Sequence, residues 1–152
     1  MGSQTILVAT LGGQPQVVIF ALCALLAQGE VVQAVYVLHP APLGVRLARL
    51  RDCLRQGFSQ QQYAGQLCTL RSVALVCSGE PLAAIRDAVE ATWRTIRQLL
   101  ASLKSEGHKL HLWIAGGRRL MGLWVTSAAM LLRARCSAAF LPAWLLLEIT
   151  YE

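Results

Sequence analysis

The chain carries no charged side chain before Glu30, and so long an uncharged stretch stays out of water either by crossing a membrane or by lying in a protein core. The segment Leu11-Gly12-Gly13-Gln14-Pro15-Gln16 separates the two. It puts two glycines, a proline and two glutamines where a spanning helix needs about 20 unbroken apolar residues, and the basic start of a secretory leader is missing. The later apolar runs, 120–132 and 136–147, are each too short to span and are parted by Arg133 and Arg135. No membrane segment is expected. The stretch predicts a buried unit instead: a β-branched strand over Thr5–Thr10, a glycine turn, and a helix over Gln16–Gln28. Pro15 fits the first helical turn because its missing N–H would have no partner there, and Gly29 can terminate the helix.

The same alternation runs on. Val31–Leu38 predicts a second strand with a polar stop at His39-Pro40-Ala41-Pro42. Leu43, Leu47, Leu50, Leu54 and Phe58 recur at helical spacing, with Arg46, Arg49, Arg51 and Arg55 largely off the stripe. Gln56–Gln66 is expected to be a mobile surface loop. Val73–Cys77 predicts a third strand, Ser78-Gly79-Glu80-Pro81 a helix entry, and Leu82–Lys104 a long helix closed by Gly107. A fourth strand over Lys109–Ala115 breaks at Gly116-Gly117 before a helix over Leu120–Arg133. Ala138–Leu141 and Leu145–Tyr151 predict the last strands. Strands alternating with helices indicate an α/β fold with a mainly parallel sheet covered on both faces, a three-layer sandwich. One domain over residues 1–152 is expected from a chain this short.

Composition narrows the setting. Hydrophobic residues make up 55% and charged residues 14%, so much of the surface must be apolar too, as a subunit interface would require. Five cysteines, an odd number without a CxxC pair, read as small core residues in a reducing cytosol, which points to the cytoplasm. His108 and His111, three apart near a strand, face opposite ways and give no metal site. The net charge of +6 is carried by twelve arginines against two lysines, a bias that suits phosphate recognition or reflects compositional drift. GxGxxG after the first strand, GxxxxGK[ST] and GxSxG are all absent, against a dinucleotide oxidoreductase, a P-loop NTPase and an α/β-hydrolase.

Two glycine-marked turns remain. In a parallel sheet ligands bind beyond the carboxyl ends of the strands, where turns enter helices. Thr10-Leu11-Gly12-Gly13-Gln14-Pro15-Gln16 would let backbone N–H groups approach an anion at the positive end of a helix, or would be an ordinary tight turn. Gly116-Gly117-Arg118-Arg119-Leu120-Met121 places two guanidinium groups at a helix entrance, where the dipole repels them. An anion would resolve that conflict; the other reading is two arginines pointing into solvent.

Together the segments from Leu7 to Val18 and from Gly116 to Met121 resemble the two ligand loops of CARF (CRISPR-associated Rossmann fold) domains of type III CRISPR systems. The resemblance implies a Rossmann-like, CARF-like domain that forms a homodimer with a two-fold symmetric pocket for cyclic oligoadenylate, most often the tetramer. A ring of phosphates is a symmetric polyanion, and an isologous dimer presents each loop twice. It implies ligand contacts from Thr10, Leu11, Gly12, Gly13, Gln14, Pro15 and Gln16, from Gly116, Gly117, Arg118, Arg119, Leu120 and Met121, and from His39, unless that ring is stacked or solvent-facing. The HEPN ribonuclease signature is absent, so a free-standing ring nuclease is expected, with no metal, no cofactor and no long nucleic acid. The ribose 2′-OH would attack the adjacent phosphate, with Arg119, Arg118 and Gln14 holding the reacting atoms in line and stabilising the growing charge. Some ring nucleases carry hydroxyl residues in the first loop and a lysine followed by a hydroxyl residue in the second; this chain has Gly13, Gln14, Arg119 and Leu120. A sensor or sponge that binds the ring without cutting it is the alternative.

Overall fold

The computed structural model describes residues 4–41, 44–60, 68–76, 82–114, 119–132, 135–141 and 144–150. In chain order they form β1 (Thr5–Thr10), α1 (Gln16–Ala27), β2 (Val32–Ala41), α2 (Val45–Gln60) and β3 (Thr69–Val76). They continue with α3 (Leu82–Ser105), β4 (Lys109–Trp113), α4 (Arg119–Leu131), β5 (Arg135–Leu141) and β6 (Trp144–Thr150). One sheet runs in the order β3-β2-β1-β4-β6-β5. Its first four strands are parallel, whereas β6 runs antiparallel to both β4 and β5. The fold is α/β and Rossmann-like, with helices on both faces of a mainly parallel sheet.

The unbroken apolar run of β1 is explained by its place. Paired with β2 on one side and β4 on the other, it buries Ile6, Leu7, Val8 and Ala9 without a break. Successive side chains alternate between the two faces. Ile6, Val8 and Leu38 pack with Leu110, Leu112, Ile96 and Leu100 under α3 and α4. Leu7, Ala9, Val35 and Val37 pack with Leu22 and Leu25 of α1 and Leu54 of α2.

Glycines close two helices at the amino edge of the sheet. After α1, the N–H of Glu30 donates to Leu25 O at 3.1 Å and that of Gly29 to Leu26 O at 3.0 Å. After α3, the N–H of His108 donates to Leu103 O at 3.3 Å and that of Gly107 to Lys104 O at 2.9 Å. Both are Schellman motifs, and Gly29 and Gly107 hold the positive φ, 85° and 78°, that the motif requires. The first motif delivers Glu30 to a cluster. Its carboxylate accepts from Lys109 Nζ and from Thr5 Oγ1 at 3.3 Å, and His111 Nε2 lies 3.9 Å away. The hydrogen bond from Lys109 holds the Glu30 carboxyl below its ordinary value of 4.5, against the opposing effect of burial, with the Lys109 and His111 charges acting the same way as the hydrogen bond. In the last turn of α3, Lys104 Nζ donates to the carbonyl of Leu132, just past the end of α4.

Several expectations need correction. β2 does not stop at Leu38; it continues through His39 and Pro40 to Ala41, because β3 stays in register with it to the pair Ala41–Val76. Leu38 O accepts from Leu11 N–H, so its polar groups face β1, and so do those of Pro40 two residues on. β1 has ended by then, and the missing N–H of proline costs nothing. Gln56–Gln60, expected in a loop, belong to α2, which brings Phe58 onto the core; 61–67 lie outside the described residues. β3 starts four residues earlier than expected, at Thr69, and as an edge strand it carries exposed Thr69 and Arg71. Cys23 and Cys53 are exposed on α1 and α2, not in the core, while Cys68 is half-buried and its thiol is pushed up to about 11 by burial. Among the described residues no helix is long and apolar enough to cross a membrane.

Gly107→Ala is expected to cost about 1–2 kcal/mol in urea-unfolding free energy, all of it conformational, since nothing lies within 4 Å of the added Cβ. A lowered carboxyl stabilises the fold above its unfolded value and loses that contribution as pH falls from about 4.5 through the folded value. Glu30→Gln should therefore be less stable than the parent at pH 7, and their urea midpoints should converge below that window.

Candidate functional site

The chain reverses direction across the sheet between β1 and β4. From β1 it steps outward to β2 and β3 with α1 and α2 on one face, then returns past β1 to β4 with α3 and α4 on the other. At such a switch point the turns leaving adjacent strands diverge to opposite faces and open a crevice at the carboxyl edge. Thr10 ends β1, opposite Leu38 of β2, while its predecessor Ala9 pairs with Trp113, the last residue of β4. Both glycine turns thus leave the same edge from adjacent strands.

The first turn is built by backbone geometry. Leu11 N–H is spent on Leu38 O at 2.8 Å, after which Gly12 and Gly13 carry the chain to Pro15, the N-cap of α1. Val17 N–H donates to Gln14 O and Val18 N–H to Pro15 O. Among the described residues no backbone carbonyl accepts from the N–H of Gly12, Gly13, Gln14 or Gln16. No side chain caps α1 and its first turn holds no acid. A row of N–H groups at the positive end of a helix is a ready acceptor of negative charge. Gly13, Gln14 and Gln16 face solvent, Gly12 and Pro15 are half-buried, and Thr10 and Leu11 are buried.

A third crossover contributes a cation that the sequence reading had not singled out. Arg46, the second residue of α2, is exposed and brings Nη2 to 3.8 Å from where a Cβ on Gly13 would stand. The first turn of α2 holds no acidic residue, and among the described residues no carboxylate pairs with Arg46. A guanidinium at the positive end of a helix works against the dipole unless an anion sits between them.

His39 lies in β2, beside the turn, on the face that Val35 and Val37 share, and is 4% exposed. Its Nδ1 is 3.1 Å from Pro40 O. A carbonyl only accepts, so Nδ1 carries the hydrogen and Nε2 presents a lone pair in the neutral ring. Trp113, at the end of β4, is also buried, and its indole N–H has no partner among the described residues.

Of the second turn, Gly116, Gly117 and Arg118 lie outside the described residues. Arg119 is the first residue of α4 and Leu120 the second; their side chains also lie outside the description. Met121 is buried in the core under α3 and α4. A Cβ on Gly122 would meet Ile114 O at 3.3 Å, so this glycine lets the first turn of α4 sit against the end of β4. The edge therefore gathers the amino ends of α1, α2 and α4 with the Arg46 guanidinium, an arrangement suited to negative charge.

Residues 14–137 match the model of the family described as CRISPR-associated protein NE0113. No curated protein matches the chain.

Proposed function

Since the chain belongs to the CRISPR-associated protein NE0113 family, we propose that its part in a CRISPR system is to bind cyclic oligoadenylate at the carboxyl edge of a homodimer and to cleave the ring without a metal. The observation that carries this reading is the Gly13 turn, where unspent N–H groups and the Arg46 guanidinium meet at the switch point. Binding needs donors for several phosphates, and the turn, Arg46 and the start of α4 at Arg119 supply them from three crossovers. Of the apolar side chains left exposed, Phe20 on α1 and Val45 on α2, on the same face of the sheet, suit a second copy.

Cleavage would proceed by attack of a ribose 2′-oxygen on the neighbouring phosphorus while the bond from phosphorus to O5′ breaks. The products are a 2′,3′-cyclic phosphate and a 5′-hydroxyl; one proton leaves the 2′-OH and one reaches O5′. Arg119, Arg118 and the N–H groups of the first turn stabilise the charge on the phosphoryl oxygens, and Gln14 helps orient the attacking group. Arginine cannot take the proton. His39 has the chemistry to do so, with Nδ1–H fixed on Pro40 and Nε2 as acceptor. If no group assists, turnover is slower by the roughly 100- to 10,000-fold that acid–base help provides, and the domain acts as a sensor or sponge.

Incubation with cyclic tetra-adenylate in EDTA is expected to give linear products ending in a 2′,3′-cyclic phosphate, and Arg119→Ala to abolish them. Cyclic tetra-adenylate at about 100 times its dissociation constant should stabilise the protein by roughly 2.7 kcal/mol. Arg46→Ala should weaken binding about tenfold or more, as loss of a charged hydrogen bond does. Stabilisation with an intact ring identifies a sensor; neither stabilisation nor cleavage rejects the reading.

A further inference from the structure

α4 departs from the usual pattern of a surface helix. Its inner side packs Met121, Val125, Ala128 and Ala129 into the core. Its outer side is apolar as well: Leu123, Met130 and Leu131 are 59%, 64% and 66% exposed, with half-buried Trp124, Thr126 and Ser127 among them. No charged residue occurs from Leu120 to Leu132. α3, on the same face of the sheet, shows what a solvent-facing helix carries instead, with Glu90, Arg94 and Arg97 exposed and Glu90 paired with Arg94. A helix that is apolar all round is one that is covered on both sides.

The spacing of that outer side says what covers it. Leu123, Ser127 and Met130 follow one another at four and three residues, the interval at which two helices lying nearly side by side keep meeting each other. An identical copy fits such a row. Across a two-fold axis each residue meets the same surface on its counterpart, and a row without charge holds nothing that its own copy would repel. Phe20 and Val45, on the opposite face, offer a second copy two exposed large side chains against the three on α4. Val45 also adjoins exposed Arg46 and Arg49, which a two-fold axis would bring towards their own counterparts.

We propose that two copies join along the outer faces of α4, about a two-fold axis parallel to the helices, so that the amino ends of both helices, at Arg119, stand side by side at the carboxyl edge. Helices packed in this way lie about 8–10 Å apart. Two positive helix ends so close repel unless negative charge lies between them. The pairing of the two faces stands on its own; the direction of the axis rests on the function proposed above, because it is what lets one anionic ring meet both copies.

Sedimentation of the whole chain without ligand tests the pairing, and a dimer is expected at about 100 μM protein. Leu123→Glu and Met130→Glu should each raise its dissociation constant about tenfold or more, since each would bury an unpaired charge, with unfolding midpoints confirming that both variants fold. Phe20→Glu should leave the dimer unchanged. In a chain that also carries Cys23→Ser and Cys53→Ser, Leu123→Cys should form a disulfide between copies on mild oxidation, with cyclic tetra-adenylate or without it. A side-by-side pair brings the two Cα atoms within the roughly 7 Å that a disulfide spans, whereas an antiparallel pair centred on Ser127 sets them about 12 Å apart along the helix. A monomer at that concentration overturns the proposal. So does a dimer that survives both α4 substitutions or is lost with Phe20→Glu, and so does absence of the disulfide under both conditions. A disulfide-linked dimer that fails to bind cyclic tetra-adenylate upholds the interface and rejects only the ligand.

Discussion

β1 is paired on both sides and covered on both faces, so every polar group of its backbone must be satisfied within the sheet. Parallel neighbours meet that demand only if the chain crosses back over the sheet between strands, and the crossovers supply the helices that cover it. One consequence is that four strands end at a common edge. Another is that the helices following β1, β2 and β4 start there, with their positive ends collected around one crevice. The gathering of helix amino ends at the carboxyl edge thus follows from the burial of one strand, five of whose six residues, Ile6–Thr10, are buried, before any side chain is assigned a role.

Elements marked by local chemistry were legible in the sequence. The β-branched run of β1, the proline that opens α1 and the glycines after α1 and α3 each impose a conformation on their own few residues, and their positions came out within a residue or so. Elements decided by a distant partner were not. His39-Pro40-Ala41 reads as a stop until β3 is seen beside it, and Thr69-Leu70-Arg71-Ser72 lacks the apolar run of a buried strand because an edge strand does not need one. The polar Gln60 reads as loop, though glutamine is a good helix former and Phe58 anchors that turn. The site divides likewise. The glycine turn was visible, and cations at a helix start drew attention to Arg118 and Arg119. Arg46 stands in the same relation to α2, but its approach to Gly13 depends on strand order, which no local pattern records.

The two edges of the sheet carry opposite ends of the helices. Helix amino ends and arginines mark one. The other gathers the carboxyl ends of α1 and α3 with Glu30 and Glu106, partly offset by Lys109 and Arg71.

Lys104 links α3 to the chain that leaves α4. Its ammonium, in the last turn of α3, donates to the carbonyl of Leu132 just past the end of α4, so sliding one helix along the other would break that bond. α3 is further anchored by Ile96, Leu100 and Leu103, whereas α2 rests on Leu54 as its one fully buried side chain among those described. Among the described residues α2 thus has the fewest buried anchors of the helices that begin at the crevice, and Arg46 stands on it.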